Sequence, residues 1–270
     1  MHSKAKLIIS CLIIGGLSLL GFNYFRSRNQ VAPVIVNHTN AIIAWDFHGV
    51  IVKKPLASML ARAVTVIKNA DNRWQLIKLL ASPSFMSELL FGSVTSCDRT
   101  IENFIARFPE QIERHKEEIY EIANMHVLDE AVVDIMEQLK QQGYTQVLAS
   151  NIGSESLQRM QAKFPHLFEK FNALFYDGPQ YPASSSNACT TELKPNGRYY
   201  HAFKQFLAKK HLLNEHIIFI DDKKENIVGA RKVDIGIDAI QFFNAEQLRK
   251  EFKKRGIMVH GQKQAAPVTA

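Results

Sequence analysis

Ala41-Ile42-Ile43-Ala44-Trp45-Asp46-Phe47-His48-Gly49-Val50 is the stretch on which the fold turns. Five apolar residues run without a polar break and stop at Asp46, the pattern of a strand buried on both faces of a parallel sheet. Similar runs occur at Thr145 to Ala149, Ala173 to Tyr176, Ile217 to Ile220 and Ile237 to Phe242. Amphipathic helices are predicted between them. One covers about Asp129 to Gln142, with Val132, Val133, Ile135, Met136 and Leu139 on one side and Gly143 as a stop. Others cover Glu155 to Lys163, Arg198 to Lys209, Asn226 to Val233, and Ala245 to Lys254 with Asn244 as its cap. Strands alternating with helices predict an α/β fold, a parallel sheet with helices on both faces.

The rhythm breaks over residues 53–125, which hold no convincing strand. Leu56/Met59/Leu60/Val64, Trp74/Ile77/Leu80, Phe85/Leu89/Leu90, Ile101/Ile105/Phe108 and Ile112/Ile119 recur instead at helical spacing, as packing stripes do. A helical subdomain inserted after the first strand is the simplest architecture. The expected organisation is therefore a core of residues 41–52 and 126–256, the insertion of 53–125, and a flexible tail from 257 to 270.

Composition sets the outer bounds. With 270 residues, 46% of them hydrophobic and 22% charged, the chain has ample material for a core and lacks the signature of disorder. The net charge of +7 is concentrated at the start, where Lys4, Lys6, Arg26 and Arg28 have no acid among the first 30 residues to balance them. The excess left over is too small to argue for a nucleic-acid partner. Three cysteines are too few for a disulfide framework, and the redox state of the Cys97 and Cys189 pair stays open. No C-x-x-C, H-E-x-x-H or G-x-x-x-x-G-K occurs, which removes the commonest zinc and P-loop signals.

Leu7 to Phe25 is free of charge and mostly apolar, flanked by Lys4 and Lys6 before and Arg26 and Arg28 after. That length suffices to span a hydrocarbon core, so residues 1–26 are expected to form a single-pass transmembrane helix and membrane anchor, with residues 27–40 as linker. The flanking charges give the body only a slight preference for translocation across the membrane.

Beyond the carboxyl ends of the predicted strands stand Asp46 and His48 after the first, Ser150-Asn151 after the second and Asp221-Asp222 after the fourth, with Lys194-Pro195 opening the helix before that strand. Ligand sites of open parallel sheets lie at this edge. Each residue alone reads as a turn, a helix cap or a solvated lysine. Together they suit phosphoryl chemistry: carboxylates hold a hard cation such as Mg²⁺, cation and lysine neutralise phosphate oxygens, a hydroxyl donates a hydrogen bond, and a carboxylate can attack phosphorus.

At these residues the sequence resembles the haloacid dehalogenase superfamily. Ala44-Trp45-Asp46-Phe47-His48-Gly49-Val50-Ile51 resembles its first motif and Val147-Leu148-Ala149-Ser150-Asn151 its second. Lys194-Pro195 resembles the third, and Ile218-Phe219-Ile220-Asp221-Asp222 with Asn226 and Gly229-Ala230 the fourth. The resemblance implies a Rossmann-like core, with the helical insertion as a C1-type cap. It further implies Asp46 as a nucleophile forming an aspartyl-phosphate, Ser150 with Asn151 as phosphate ligands, and Lys194 as the group steadying both. Mg²⁺ would be held by Asp46, the backbone carbonyl of His48 and Asp222, with Asp221 reached through water. The implied partner is a small phosphorylated substrate. Phosphatases of this family usually carry a second aspartate two residues after the nucleophile, and here that position is His48. Histidine can perform the same acid–base work if its ring reaches the leaving oxygen. The alternative is a weakened relative that binds a phospholigand or scaffolds a partner. His115 and His126 read as surface or core histidines, and the basic residues of 249–255 as a solvated face.

Overall fold

The computed structural model describes residues 41–71, 73–80, 97–107, 109, 113–178, 187–190, 192–212, 216–233 and 235–261. Its centre is β1 (Ala41–Trp45), buried along its whole length. Side chains alternate across a strand, so Ala41, Ile43 and Trp45 enter one apolar cluster and Ile42 and Ala44 the other. β1 pairs in parallel with β4 (Thr145–Gly153) on one side and β7 (His216–Asp221) on the other. Outward from these come β5 (Ala173–Asp177) and β6 (Asn187–Thr190) beyond β4, and β8 (Ile237–Gln241) beyond β7. The sheet thus has six parallel strands in the order β6-β5-β4-β1-β7-β8.

The insertion leaves through β2 (Val52–Lys53) and returns through β3 (Val127–Leu128), which pair antiparallel and set Val52 opposite Leu128. Between them lie α1 (Leu56–Asn69), α2 (Arg73–Leu80), α3 (Cys97–Arg107), a 3₁₀ turn at Glu113–His115 and α4 (Lys116–Ala123). Ile101 of α3 packs on Tyr120 and Ala123 of α4, with Ile105 and Ile119 beside them. The predicted stripes are only partly interior: Met59 is buried, but Leu60 is exposed and Trp74 is 54% exposed.

Helices cover both faces of the sheet. α5 (Glu130–Gln141) presents Val132, Ile135, Met136 and Leu139 to the Trp45 face, spacing that keeps them on one side of a 3.6-residue helix. The same face receives α6 (Ser154–Lys163), the single turn α7 (Pro165–Phe168) and α10 (Ala245–Lys254), whose first turn is capped by the Asn244 side chain accepting from the Gln247 N–H. α8 (Gly197–Lys209) buries Tyr199, Tyr200, Phe203, Phe206 and Leu207 against the Ile42 face, joined by α9 (Lys224–Lys232). The α/β, Rossmann-like expectation therefore holds.

Several expectations need correction. The single-pass membrane anchor and the membrane localisation built on it are withdrawn: among the described residues no helix is long and apolar enough to cross a membrane. Residues 7–25, on which that reading rested, lie outside the described residues, as do the linker and the stripe at Phe85 to Leu90. The side chains of Cys97 and Cys189 are likewise outside them. Residues 257–261, expected in a flexible tail, belong to the folded body. Ile257 is fully buried, and Gln138 both donates to the His260 carbonyl and accepts its N–H. Of the basic residues of 249–255, Lys250, Lys253 and Lys254 are exposed as expected of a solvated face, whereas Arg249 pairs with Asp134, and Arg255 is buried and pairs with Asp238 and Glu251.

Candidate active site

Asp46 stands where β1 ends, fixed by its N–H donating to the Ile220 carbonyl of β7 at 2.9 Å. Parallel pairing with β4 and β7 brings the ends of those strands alongside, so Ser150, Asp221 and Asp222 gather around it. Lys194 reaches in from the loop before α8. Its ammonium, 2% exposed, lies 2.8 Å from Asp46 Oδ1 and 2.7 Å from Asp221 Oδ2, and donates to the Ala149 carbonyl at 3.0 Å. All three of its protons therefore have acceptors. Burial alone would lower its pKa, but Asp221 and Asp46 outweigh that and hold it above the ordinary lysine value, so it stays charged.

The acidic pair divides its work. Asp221 is fully buried and saturated, accepting from Lys194, the Lys223 N–H and the Asn226 amide. Asp222 Oδ1, by contrast, is buried with no hydrogen-bond partner. Burial, then the charges of Asp46 and Asp221, push Asp222 up to about 7. Burial likewise raises Asp221, against Lys194. Ligand oxygens from Asp46, Asp221 and Asp222 lie within 4.8 Å of one another. Three carboxylates facing one lysine, one of them with an orphaned buried oxygen, fit a hard divalent cation.

Gly49 completes this corner. It has φ +79°, and a Cβ there would stand 2.3 Å from Asp222 Oδ2, so only glycine admits the carboxylate. On the other side, Ser150 is buried and its Oγ accepts the Ile152 N–H at 3.3 Å. Asn151, expected to contact phosphate, has its side chain committed instead to Lys194. It donates to the Lys194 carbonyl at 3.1 Å and accepts the Lys194 N–H at 2.9 Å, clamping the lysine's main chain.

His48 is half-buried, and its ring lies against that of His126, with centroids 4.8 Å apart. Burial first, then His126 and the lysines 54, 223 and 194, push His48 well below the ordinary histidine value. His126, 2% exposed, is pushed down to about 4, and neither of its ring nitrogens has a hydrogen-bond partner. Both imidazoles are therefore neutral near pH 7. The sequence marked His126 only as a surface or core histidine, because nothing in its spacing shows that the return from the insertion brings it to His48. Asp98 was also missed. It lies in the first turn of α3, 6% exposed, and reaches the start of α6 by hydrogen bonds described below. Its partners are more than fifty residues away in the chain, so no local pattern signals it.

A Rossmann-like sheet with an aspartate at the end of its central strand, locked to a buried lysine and flanked by two further acids, sets a candidate carboxylate nucleophile at the edge where open parallel sheets bind ligands. The chain belongs to the haloacid dehalogenase-like hydrolases, whose family pattern matches residues 36–234. No curated protein matches it. Solved structures share the fold. YfnB from Bacillus subtilis, a proposed HAD-hydrolase solved with magnesium bound, is 14% identical with a TM-score of 0.51, covering 81% of this chain and 100% of that one. A predicted phosphoglycolate phosphatase from Haemophilus somnus 129PT is 17% identical with a TM-score of 0.50, covering 76% and 85%.

Proposed function

We propose that the protein is a Mg²⁺-dependent phosphatase that hydrolyses a small phosphorylated metabolite through an aspartyl-phosphate on Asp46. One observation carries the reading: the Asp46 carboxylate, at the end of the central strand, has one oxygen held by the buried Lys194 ammonium at 2.8 Å and clusters with Asp221 and Asp222. In the first half-reaction an Asp46 oxygen attacks phosphorus and the ester P–O bond breaks, the departing alkoxide taking a proton from solvent water. In the second, water gives a proton to the neutral His48 ring and attacks phosphorus, the bond from phosphorus to the Asp46 oxygen breaks, phosphate leaves with Asp46 restored, and His48 returns its proton to solvent. Lys194 neutralises phosphoryl oxygens in both, and Ser150 donates its hydroxyl. Asp46, Asp222 and the His48 carbonyl would hold Mg²⁺, which supplies positive charge against the phosphoryl oxygens; the magnesium in the YfnB structure supports the choice of ion. The helices between β2 and β3 form the cap over this edge.

His48 supports a second reading, a weakened enzyme retained for binding. A neutral imidazole suits the water-activating step better than it suits protonating a poor leaving group. The test joins both readings. Asp46→Asn, assayed for phosphate release from an aryl and an alkyl ester, is expected to fall below a hundredth of wild type with the fold retained; activity above a tenth removes the nucleophile assignment. His48→Asp is expected to raise alkyl-ester turnover about tenfold or more if the natural chain is limited by leaving-group protonation. No gain, with His48→Ala equally harmless, makes His48 a turn residue.

A further inference from the structure

Helix α6 begins directly after the segment that carries Ser150 and Asn151, yet it lacks a side-chain cap of its own, because its N-cap residue is Gly153. A helix start leaves backbone N–H groups unpaired and favours a carboxylate there. The insertion supplies one. Asp98 Oδ2 accepts the Glu155 N–H at 2.8 Å, both of its oxygens accept the Ser156 N–H at 3.2 Å, and Oδ1 accepts the Ser156 hydroxyl. Gly153 is what makes room: a Cβ there would stand 2.1 Å from Asp98 Oδ2.

We propose that Asp98 is a positioning residue whose carboxylate, delivered by the insertion, orders the Ser150–Gly153 segment, so that phosphate binds tightly only while the insertion is docked. This rests on the phosphatase reading above for its ligand. The path is short. Gly153 is three residues beyond Ser150, whose Oγ holds the Ile152 N–H, and the intervening Asn151 clamps Lys194. Both phosphate-facing groups thus hang on a segment whose far end Asp98 fixes. Other contacts also dock the insertion, one of them through Asp177, the β5 residue registered with Gly153. Arg99 pairs with Asp177 at the end of β5, Arg159 of α6 pairs with Glu117, and the Arg159 guanidinium lies 5.0 Å from the Tyr120 ring centre. Partly exposed pairs of this kind contribute little each. Asp98 is buried as Asp177 is, but it alone among these groups accepts the α6 amides, and its loss would strand two of them.

The experiment uses the full chain with Mg²⁺ and inorganic phosphate as the probe. Phosphate affinity is measured by calorimetry, and amide exchange is followed by mass spectrometry with and without phosphate. Asp98→Ala is expected to weaken phosphate binding about tenfold, Ser156→Ala about two- to threefold, and Glu117→Ala not at all. Coupling between two sites is reciprocal, so phosphate should slow exchange across α3 in the wild type and fail to do so in Asp98→Ala. Should Asp98→Ala not fold, Ser156→Ala decides, and an unchanged affinity in it overturns the proposal. Overturned equally is the case where Asp98→Ala lowers only the melting temperature, with phosphate affinity within twofold and the exchange response of α3 intact. Absence of phosphate binding by the wild type would instead sink the phosphatase reading. The role of Asp98 is then read from ligand-free exchange of residues 151–156, which must quicken in Asp98→Ala and not in Glu117→Ala.

Discussion

At the scale of single residues, the site is a problem of packing charge, and Gly49 shows how tightly it is solved. Gly49→Ala combines a left-handed backbone with a methyl group aimed at Asp222, so it should cost about 1–3 kcal/mol and weaken Mg²⁺ binding together. A thermal melt and a metal titration check the pair, and a fall in stability without a fall in affinity would separate Asp222 from the metal. The acids themselves make metal binding depend on pH. Asp222 is raised from 3.8 to about 7. Across that window the folded chain binds more protons than the unfolded one, so the metal-free protein loses stability as pH rises from about 4 and bears the full penalty above about 7. A cation that neutralises the cluster competes with those protons. The rise in melting temperature on adding Mg²⁺ should therefore be larger at pH 8 than at pH 5.5, and a pH-independent rise would contradict the clustered-acid picture. Asp46, Ser150, Asp221 and Asp222 were legible because each sits at the end of an apolar run, where the sheet must bring them together, and Lys194 only through the Lys-Pro motif. Asn151 was misread because its amide has two chemically equal uses, and only the approach of Lys194 decides between them. Asp98 and His126 gave no signal, since their partners are set by how the insertion docks.

At the scale of elements, what could be read tracks where each element is buried. β1, β7 and the first part of β4 have neighbours on both sides and helices on both faces, so their central residues are apolar. β6 is an edge strand with the sequence Asn-Ala-Cys-Thr, which carries no apolar pattern. β2 and β3 are two residues each, too short for any period to show. α5 was the clearest helix, and Val132, Ile135, Met136 and Leu139 on it are fully buried, so it offers a sharp test of the core. Leu139 is fully buried between α5 and the sheet. Leu139→Ala should cost about 2–5 kcal/mol, measured by urea denaturation, through lost transfer energy and the cavity left behind. A loss under 1 kcal/mol would mean that this helix collapses onto the sheet more freely than its packing implies.

At the scale of the whole molecule, the last strand and the last helix are tied to each other through charge. Arg255, just beyond α10, grips Asp238 of β8 with two nitrogens at 2.6 and 2.8 Å, closing the outermost strand on this side against the last helix. Burial would raise Asp238, but the His216 imidazole 3.8 Å away and the hydrogen-bonded Arg255 guanidinium outweigh it and hold it at about 2. An acid depressed on folding adds stability above its unfolded value near 3.9 and loses it as pH falls toward 2. Wild type should therefore lose more stability between pH 5 and 2.5 than Asp238→Asn does; equal losses would assign acid sensitivity to other groups. The β2–β3 ribbon has a consequence of a different kind. Val52 and Leu128 face each other across it, and Lys53 is paired with Asp129 at 2.6 Å, so entry and exit of some seventy residues are a single strand spacing apart. The paired ends of the ribbon can thus stay in place while the segment between them is lengthened or shortened, provided the stretch that carries Asp98 and Arg99 keeps its seat on α6 and β5.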